Sequence, residues 1–98
     1  MSSQDFTDYI ELMRPEGKKV RVVFEVFQGE VLYYHYEYQH DKNSEWLPME
    51  RNSNEAHYAY TVKDGQGNET EHTILFPTIN EMKYAHKTIA LRNYGHSV

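Results

Sequence analysis

Hydrophobic and polar positions change period along this chain, and the changes divide it into elements. Phe6, Tyr9, Ile10 and Met13 fall at i, i+3, i+4 and i+7, the spacing of one helix face, with Ser2 and Asp5 ahead of them in the manner of a capping box. Pro15 biases Arg14 away from helical angles and Gly17 follows. The pattern therefore predicts a short N-terminal helix ending near Arg14, with Leu12 off its stripe. From Lys19 the period becomes two: Val20, Val22, Phe24 and Val26 alternate with Arg21, Val23, Glu25 and Phe27, a β-branched run that fits a strand. After a turn at Gly29, "VLYYHYEYQH" alternates again. Pairing the two strands so that Phe24 faces Tyr34 sets Val22 beside Tyr36 and Arg21 beside Glu37, which makes one face wholly apolar or aromatic. A slip of one residue would mix the faces.

"HDKNSE" reads as a polar loop and "EWLPMER" as a short third strand. Pro48 cannot donate to a ladder, so that strand belongs at an edge or carries a bulge. "NSNE" is the next turn. "AHYAYTVKD" and "ETEHTILFP" alternate around "DGQGN", a hairpin signal that pairs Lys63 with Glu69, Tyr60 with His72 and Tyr58 with Ile74. Thr78 caps a final helix that Gly95 ends. On its wheel Met82, Ala85 and Ile89 share a stripe with Ile79 near the edge, while Tyr84 and Leu91 lie nearly opposite. Two apolar sides call for two neighbours, the N-terminal helix or another protein. The predicted fold class is α+β: an antiparallel sheet of about five strands flanked by a short N-terminal and a longer C-terminal helix, order α-β-β-β-β-β-α, in a single domain over 1–98.

Composition narrows the chemistry. With 39% hydrophobic residues the chain has a modest apolar fraction, which 14% aromatic residues offset because each ring buries about 150–250 Å². There is no cysteine, which excludes disulfides and thiolate metal sites and suits a reducing compartment. The first residues carry neither a basic start nor a long apolar run, so no signal peptide or membrane span is expected and the protein is placed in the cytoplasm. A net charge of −5 argues against direct binding of nucleic acid by phosphate neutralisation. The exception is a local basic stretch, Lys83, Lys87 and Arg92.

Tyr34, Tyr36 and Tyr38 share parity with the valines and are expected to form the sheet side of the core. Tyr33 falls on the other face with His35, Glu37, Glu25 and Arg21. Tyrosine-rich sheets can stack bases, but neither a basic stripe nor the glycine-aromatic signature of an RNA-recognition sheet accompanies these residues. Six histidines show no ligand spacing. The best constellation by parity is His35, Glu37 and His57, and solvated or hydrogen-bonded histidine is the preferred reading, so no metal or other cofactor is expected. No nucleophile motif or phosphate loop is present, and a pair such as His35 and Glu37 would need a cleft, so an enzyme is not expected.

Small size, acidity, aromatic content and lack of cysteine are shared with many phage or mobile-element accessory proteins that block a host nucleic-acid-handling or defence enzyme. The expected function is accordingly a non-enzymatic protein-binding inhibitor or regulator. Its candidate contacts are Glu25, Tyr33, His35, Glu37, Tyr84 and Leu91, and a homodimer is expected through a sheet edge or the Tyr84/Leu91 side. The alternative is a small-molecule domain whose aromatic pocket is lined by Tyr36, Trp46, Tyr58 and Tyr60.

Overall fold

The computed structural model describes residues 6–27, 30–50 and 55–94, without the side chains at 6, 32, 33, 93 and 94. The expected Ser2/Asp5 cap, the turn at Gly29, most of the "NSNE" turn and the helix stop at Gly95 lie outside the described residues. What is described is mostly antiparallel sheet with one helix, at the C-terminus, so the α-β-β-β-β-β-α layout is incorrect.

The correction begins at the N-terminus. The segment Phe6–Met13 is not a helix but an eight-residue strand, β1. "FTDYIELM" satisfies both periods, and eight residues are too few to hold a helix without tertiary help. Its alternation sets Ile10 opposite Val22 and Leu12 opposite Val20 on the next strand. Leu12, off the helical stripe, is thereby packed on the core, while Tyr9 and Met13, both on that stripe, are exposed. Burial of Ile10 and Leu12 together with the β propensity of Phe, Thr, Tyr and Ile decides for the strand. Pro15 and Gly17 form not a helix stop but a tight 3-10 turn, Pro15–Gly17, closed by the Arg14 N–H donating to the Lys18 carbonyl at 2.8 Å. Glu16 takes a left-handed conformation there, φ 65°, at a cost on the order of 1 kcal/mol.

The next two strands, β2 (Lys19–Phe27) and β3 (Glu30–Gln39), pair in the register the pattern predicts: Phe24 with Tyr34, Val22 with Tyr36, Arg21 with Glu37. An irregularity between Glu25 and Val26 shifts the pairing beyond that point, so that Val26 meets Val31. Leu47–Met49, β4, pairs with the far side of β3 and closes the order β1-β2-β3-β4. Pro48 thus stands on an edge strand, where a missing N–H is tolerated.

The remaining strands do not extend this sheet. His57–Lys63 (β5) and Glu69–Leu75 (β6) form a separate two-stranded hairpin with the predicted register, its turn held by the Asp64 carboxylate accepting the N–H groups of Gln66 and Asn68. The helix α1, Ile79–Tyr94, begins in a reciprocal cap: the Glu81 N–H donates to Thr78 Oγ1 and the Thr78 N–H to Glu81 Oε1.

Helix and hairpin share one face of the four-stranded sheet. Ala85 and Ile89 of α1 bury Ile10, Val22, Phe24 and Val26, whereas Tyr60 and Ile74 of the hairpin, with Phe76 after it, bury Val20, Tyr38 and Met49. Tyr36 packs against both groups and Tyr34, at the margin of α1 in a cleft shared with Met82 and His86, is half exposed. Lying side by side, the two covers give an elongated body of 54 × 27 × 23 Å.

Two buried cations from the turn after β1 lock the hairpin down. Arg14 donates from Nε to the Leu75 carbonyl at 3.0 Å, and Lys18 from Nζ to the Thr73 carbonyl at 3.2 Å, taking alternate carbonyls of one edge of β6. Arg14 also grips Glu81 with both terminal nitrogens, at 2.8 and 3.1 Å. One side chain therefore joins the end of β1, the end of β6 and the start of α1. Among the described residues no helix is long and apolar enough to cross a membrane.

Candidate protein-binding face

The second face of the four-stranded sheet is the one that α1 and the hairpin leave uncovered. Alternation places Tyr9 and Glu11 of β1, Arg21, Val23 and Glu25 of β2, and His35 and Glu37 of β3 on it. Arg21 is its centre. The guanidinium lies over the Tyr9 ring, 4.9 Å from the centroid, and over the Trp46 ring, 4.4 Å away. Its Nε donates to Glu37 Oε1 at 2.6 Å, and the other carboxylate oxygen, Oε2, sits 2.9 Å from His35 Nε2. An arginine held flat by two rings and in its plane by a carboxylate has lost its rotamer freedom before any partner arrives.

The charge balance follows from the same contacts. Burial pushes the Glu37 carboxyl up, but the hydrogen bonds from His35 and Arg21 and their charges outweigh it, and the group is held below the usual carboxylate value. Glu37 thus stays ionised and neutralises Arg21. What the face shows outward beside this pair is Glu11, exposed, with Glu25 and Lys19 half buried.

The expected contact residues divide between two surfaces. Glu25, His35 and Glu37 are on the open sheet face, and the Tyr33 backbone pairs there with Glu25, its side chain outside the described residues. Tyr84 and Leu91 are exposed on α1, on the other side of the sheet. Two residues of the stack were not among the expected contacts: Tyr9, assigned to a helix, and Trp46, assigned to a pocket. Parity would have found Tyr9 once β1 is read as a strand, since it sits across from Val23 and diagonal to Arg21.

The expected aromatic pocket is largely filled. Tyr36 and Tyr58 pack edge-on against Phe76, with centroids 5.6 and 6.1 Å away, and Tyr38 meets Tyr60 at 4.5 Å. Trp46 lies on the opposite face over Arg21. A cleft of about 460 Å³ does open beside this layer, between the loop after β3 and β5, lined by Tyr38, His40, Leu47, Tyr60 and Val62 among others. Of the expected quartet only Tyr60 lines it.

Tyr60 is pushed up to about 12 by burial, with Tyr38 and Glu16 adding to the shift, so its hydroxyl remains neutral and can donate to His40 Nδ1 at 2.9 Å. A folded-state value above the unfolded one, about 10, favours the protonated folded form. The stabilisation is complete below pH ~10 and is lost as pH rises through ~12. We therefore expect the alkaline fall in stability between these limits to be shallower in Tyr60→Phe than in the parent. Denaturant midpoints across that range check it, and parallel curves would exclude Tyr60 as the cause.

His57 does not join His35 and Glu37: it stands on β5, near Arg14 and Glu16. Among the described residues no group of three or more potential ligands is placed to hold a metal ion. No family model, curated protein or solved structure matches the chain.

Proposed function

We propose that the protein is a non-enzymatic protein-binding regulator that works through the open sheet face, and that its partner is a nucleic-acid-handling enzyme whose basic groove the face enters. The observation that carries this reading is the Tyr9–Arg21–Trp46 stack on the face that α1 and the hairpin do not cover. Arg, Tyr and Trp are the residues that most often dominate binding energy, and these three are already ordered. The remaining charges, Glu11 and Glu25 against Lys19 on a chain of net charge −5, leave the face on balance acidic, which suits a basic groove.

The test uses affinity capture from host cytoplasm, followed by binding kinetics with the purified partner. Trp46→Ala should speed dissociation about 30-fold, the equivalent of a 2 kcal/mol anchor. Charge reversal at Glu11 and Glu25 should slow association, steeply so at low salt, and leave dissociation nearly unchanged. Glu37 is a poor probe of steering because it also holds Arg21. The partner's nucleic acid should compete. If Trp46→Ala binds like the parent, or nucleic acid binds alongside, the proposal fails.

The cleft beside Tyr60 favours a second reading, a small-molecule domain. A thermal-shift response to a metabolite that vanishes in Leu47→Trp, a variant that fills the cleft, would support it over the first.

A further inference from the structure

The two edges of the four-stranded sheet are managed differently. β4 is three residues long and carries Pro48, which blunts its edge. β1 is eight residues long and, among the described residues, has a neighbour strand on one side only. Its outward backbone groups are met at Tyr9, where the N–H donates to Asp8 Oδ1 at 2.8 Å and the carbonyl accepts from Arg92 Nη1 at 3.2 Å. Alternation along a strand then turns the N–H and C=O of Thr7 and Glu11 outward as well.

The helix side above this edge is exposed and of mixed character, Tyr84 and Leu91 standing beside Thr88 and Arg92. Residues Tyr84, Thr88 and Arg92 of α1 and Asp8 to Glu11 of β1 line a groove of about 430 Å³ that runs along the edge. Tyr84 and Leu91 stand exposed on α1, each at 61%. Charges of both signs border the seam, Asp8 and Glu11 on the strand and Arg92 on the helix, the last tied to Asp8 at 3.1 Å.

We propose that this edge is a self-association surface: two copies pair β1 with β1 antiparallel about a two-fold axis, making an eight-stranded sheet and bringing the Tyr84/Leu91 sides of the two helices together. An extended peptide could add to the strand but would leave the helix side bare, whereas a second copy supplies strand and helix at once. A register centred on Ile10 sets Ile10 against its counterpart and Tyr9 against Glu11, with no like charges directly opposed. Asp8 must release the Tyr9 N–H, and the Arg92 clip must open for the Tyr9 carbonyl to pair. As a half-exposed ion pair it costs little to break. The open faces of the two copies then become one surface carrying two Arg21 stacks.

Sedimentation velocity from micromolar to near-millimolar concentration tests this on the full chain. The parent should move from monomer to dimer. Glu11→Pro removes an outward N–H from an edge strand, and Leu91→Lys charges the helix side. Each should weaken association about tenfold or more, with unchanged circular dichroism. Amide exchange on the same samples should show Thr7 and Glu11 becoming protected as the dimer forms. A parent that stays monomeric at the highest concentration overturns the proposal. So does a dimer in which those amides remain unprotected, which would mean contact through the helices alone. Should Glu11→Pro fail to fold, Leu91→Lys and the exchange pattern still decide.

Discussion

A Phe24→Ala protein is expected to lose about 3–5 kcal/mol of folding stability, enough to unfold it if the parent lies at the lower end of the usual 5–15 kcal/mol. The phenyl ring is fully buried where sheet and helix meet, against Val22, Val26 and Ile10 on one side and Ala85 and Ile89 on the other. It also contacts the rings of Tyr34 and His86, with centroids 6.1 and 6.0 Å away. Truncation removes that transfer energy and leaves a cavity between two elements of fixed length, which can close only if α1 tilts. Met13→Ala, on the opposite face and 66% exposed, should stay within about 0.5 kcal/mol of the parent. Urea unfolding of both variants measures the difference. A cooperatively folding Phe24→Ala protein of undiminished stability would mean that α1 is not seated on this face.

The second large effect should come from Glu81, and it should exceed that of its partner. Arg14 is nearly buried, its side chain 6% exposed, while the Glu81 side chain is 32% exposed. Glu81→Ala leaves a buried guanidinium with only carbonyls for company and removes the Thr78 N–H half of the helix cap, at a cost of about 3 kcal/mol. Arg14→Ala leaves a carboxylate that can turn to water, and should cost less despite releasing the Leu75 carbonyl. The Arg14 hydrogen bonds hold the Glu81 carboxyl below its ordinary value, against burial and with help from the Thr78 N–H. A depressed folded-state value means stabilisation that is present above the unfolded value and lost as pH falls through the folded one. The acid limb of the stability curve should therefore flatten in Glu81→Gln. An Arg14→Ala protein less stable than Glu81→Ala would reverse the assignment of which charge is trapped.

Much of the sheet was legible because its information is local. The β2–β3 register follows from parity alone, since one alignment puts Arg21 against Glu37 and keeps Val22, Phe24, Tyr34 and Tyr36 on one face. The β5–β6 hairpin follows from the residues of its turn, and the start of α1 from Thr78 as its cap. The N-terminal strand was misread because "FTDYIELM" fits a helix of two turns as well as a strand, and its β propensity is by itself too weak to break the tie. The arbiter is β2, whose free edge offers Val20 and Val22 to Leu12 and Ile10. That misreading hid the candidate site, because the stack on Arg21 needs Tyr9 on a neighbouring strand and Trp46 arriving from the loop beyond β3.

By itself, then, the sequence determined which residues alternate, where the turns and the helix cap fall, and which strand partners lie next to each other in the chain. Each of these is set within a few residues by backbone sterics, side-chain parity and capping hydrogen bonds. Only the tertiary structure decided that the hairpin leaves the sheet and lies beside α1, that one face is thereby covered and the other left open, and that Arg21 is caught between two rings. The contacts behind these outcomes join Arg14 to Leu75, Lys18 to Thr73 and Arg14 to Glu81, separations of 61, 55 and 67 residues. At that range nothing in a local pattern names the partner: a buried cation can satisfy its charge wherever carbonyls or a carboxylate come within reach, and which ones do depends on how the covering elements divide the apolar face between them.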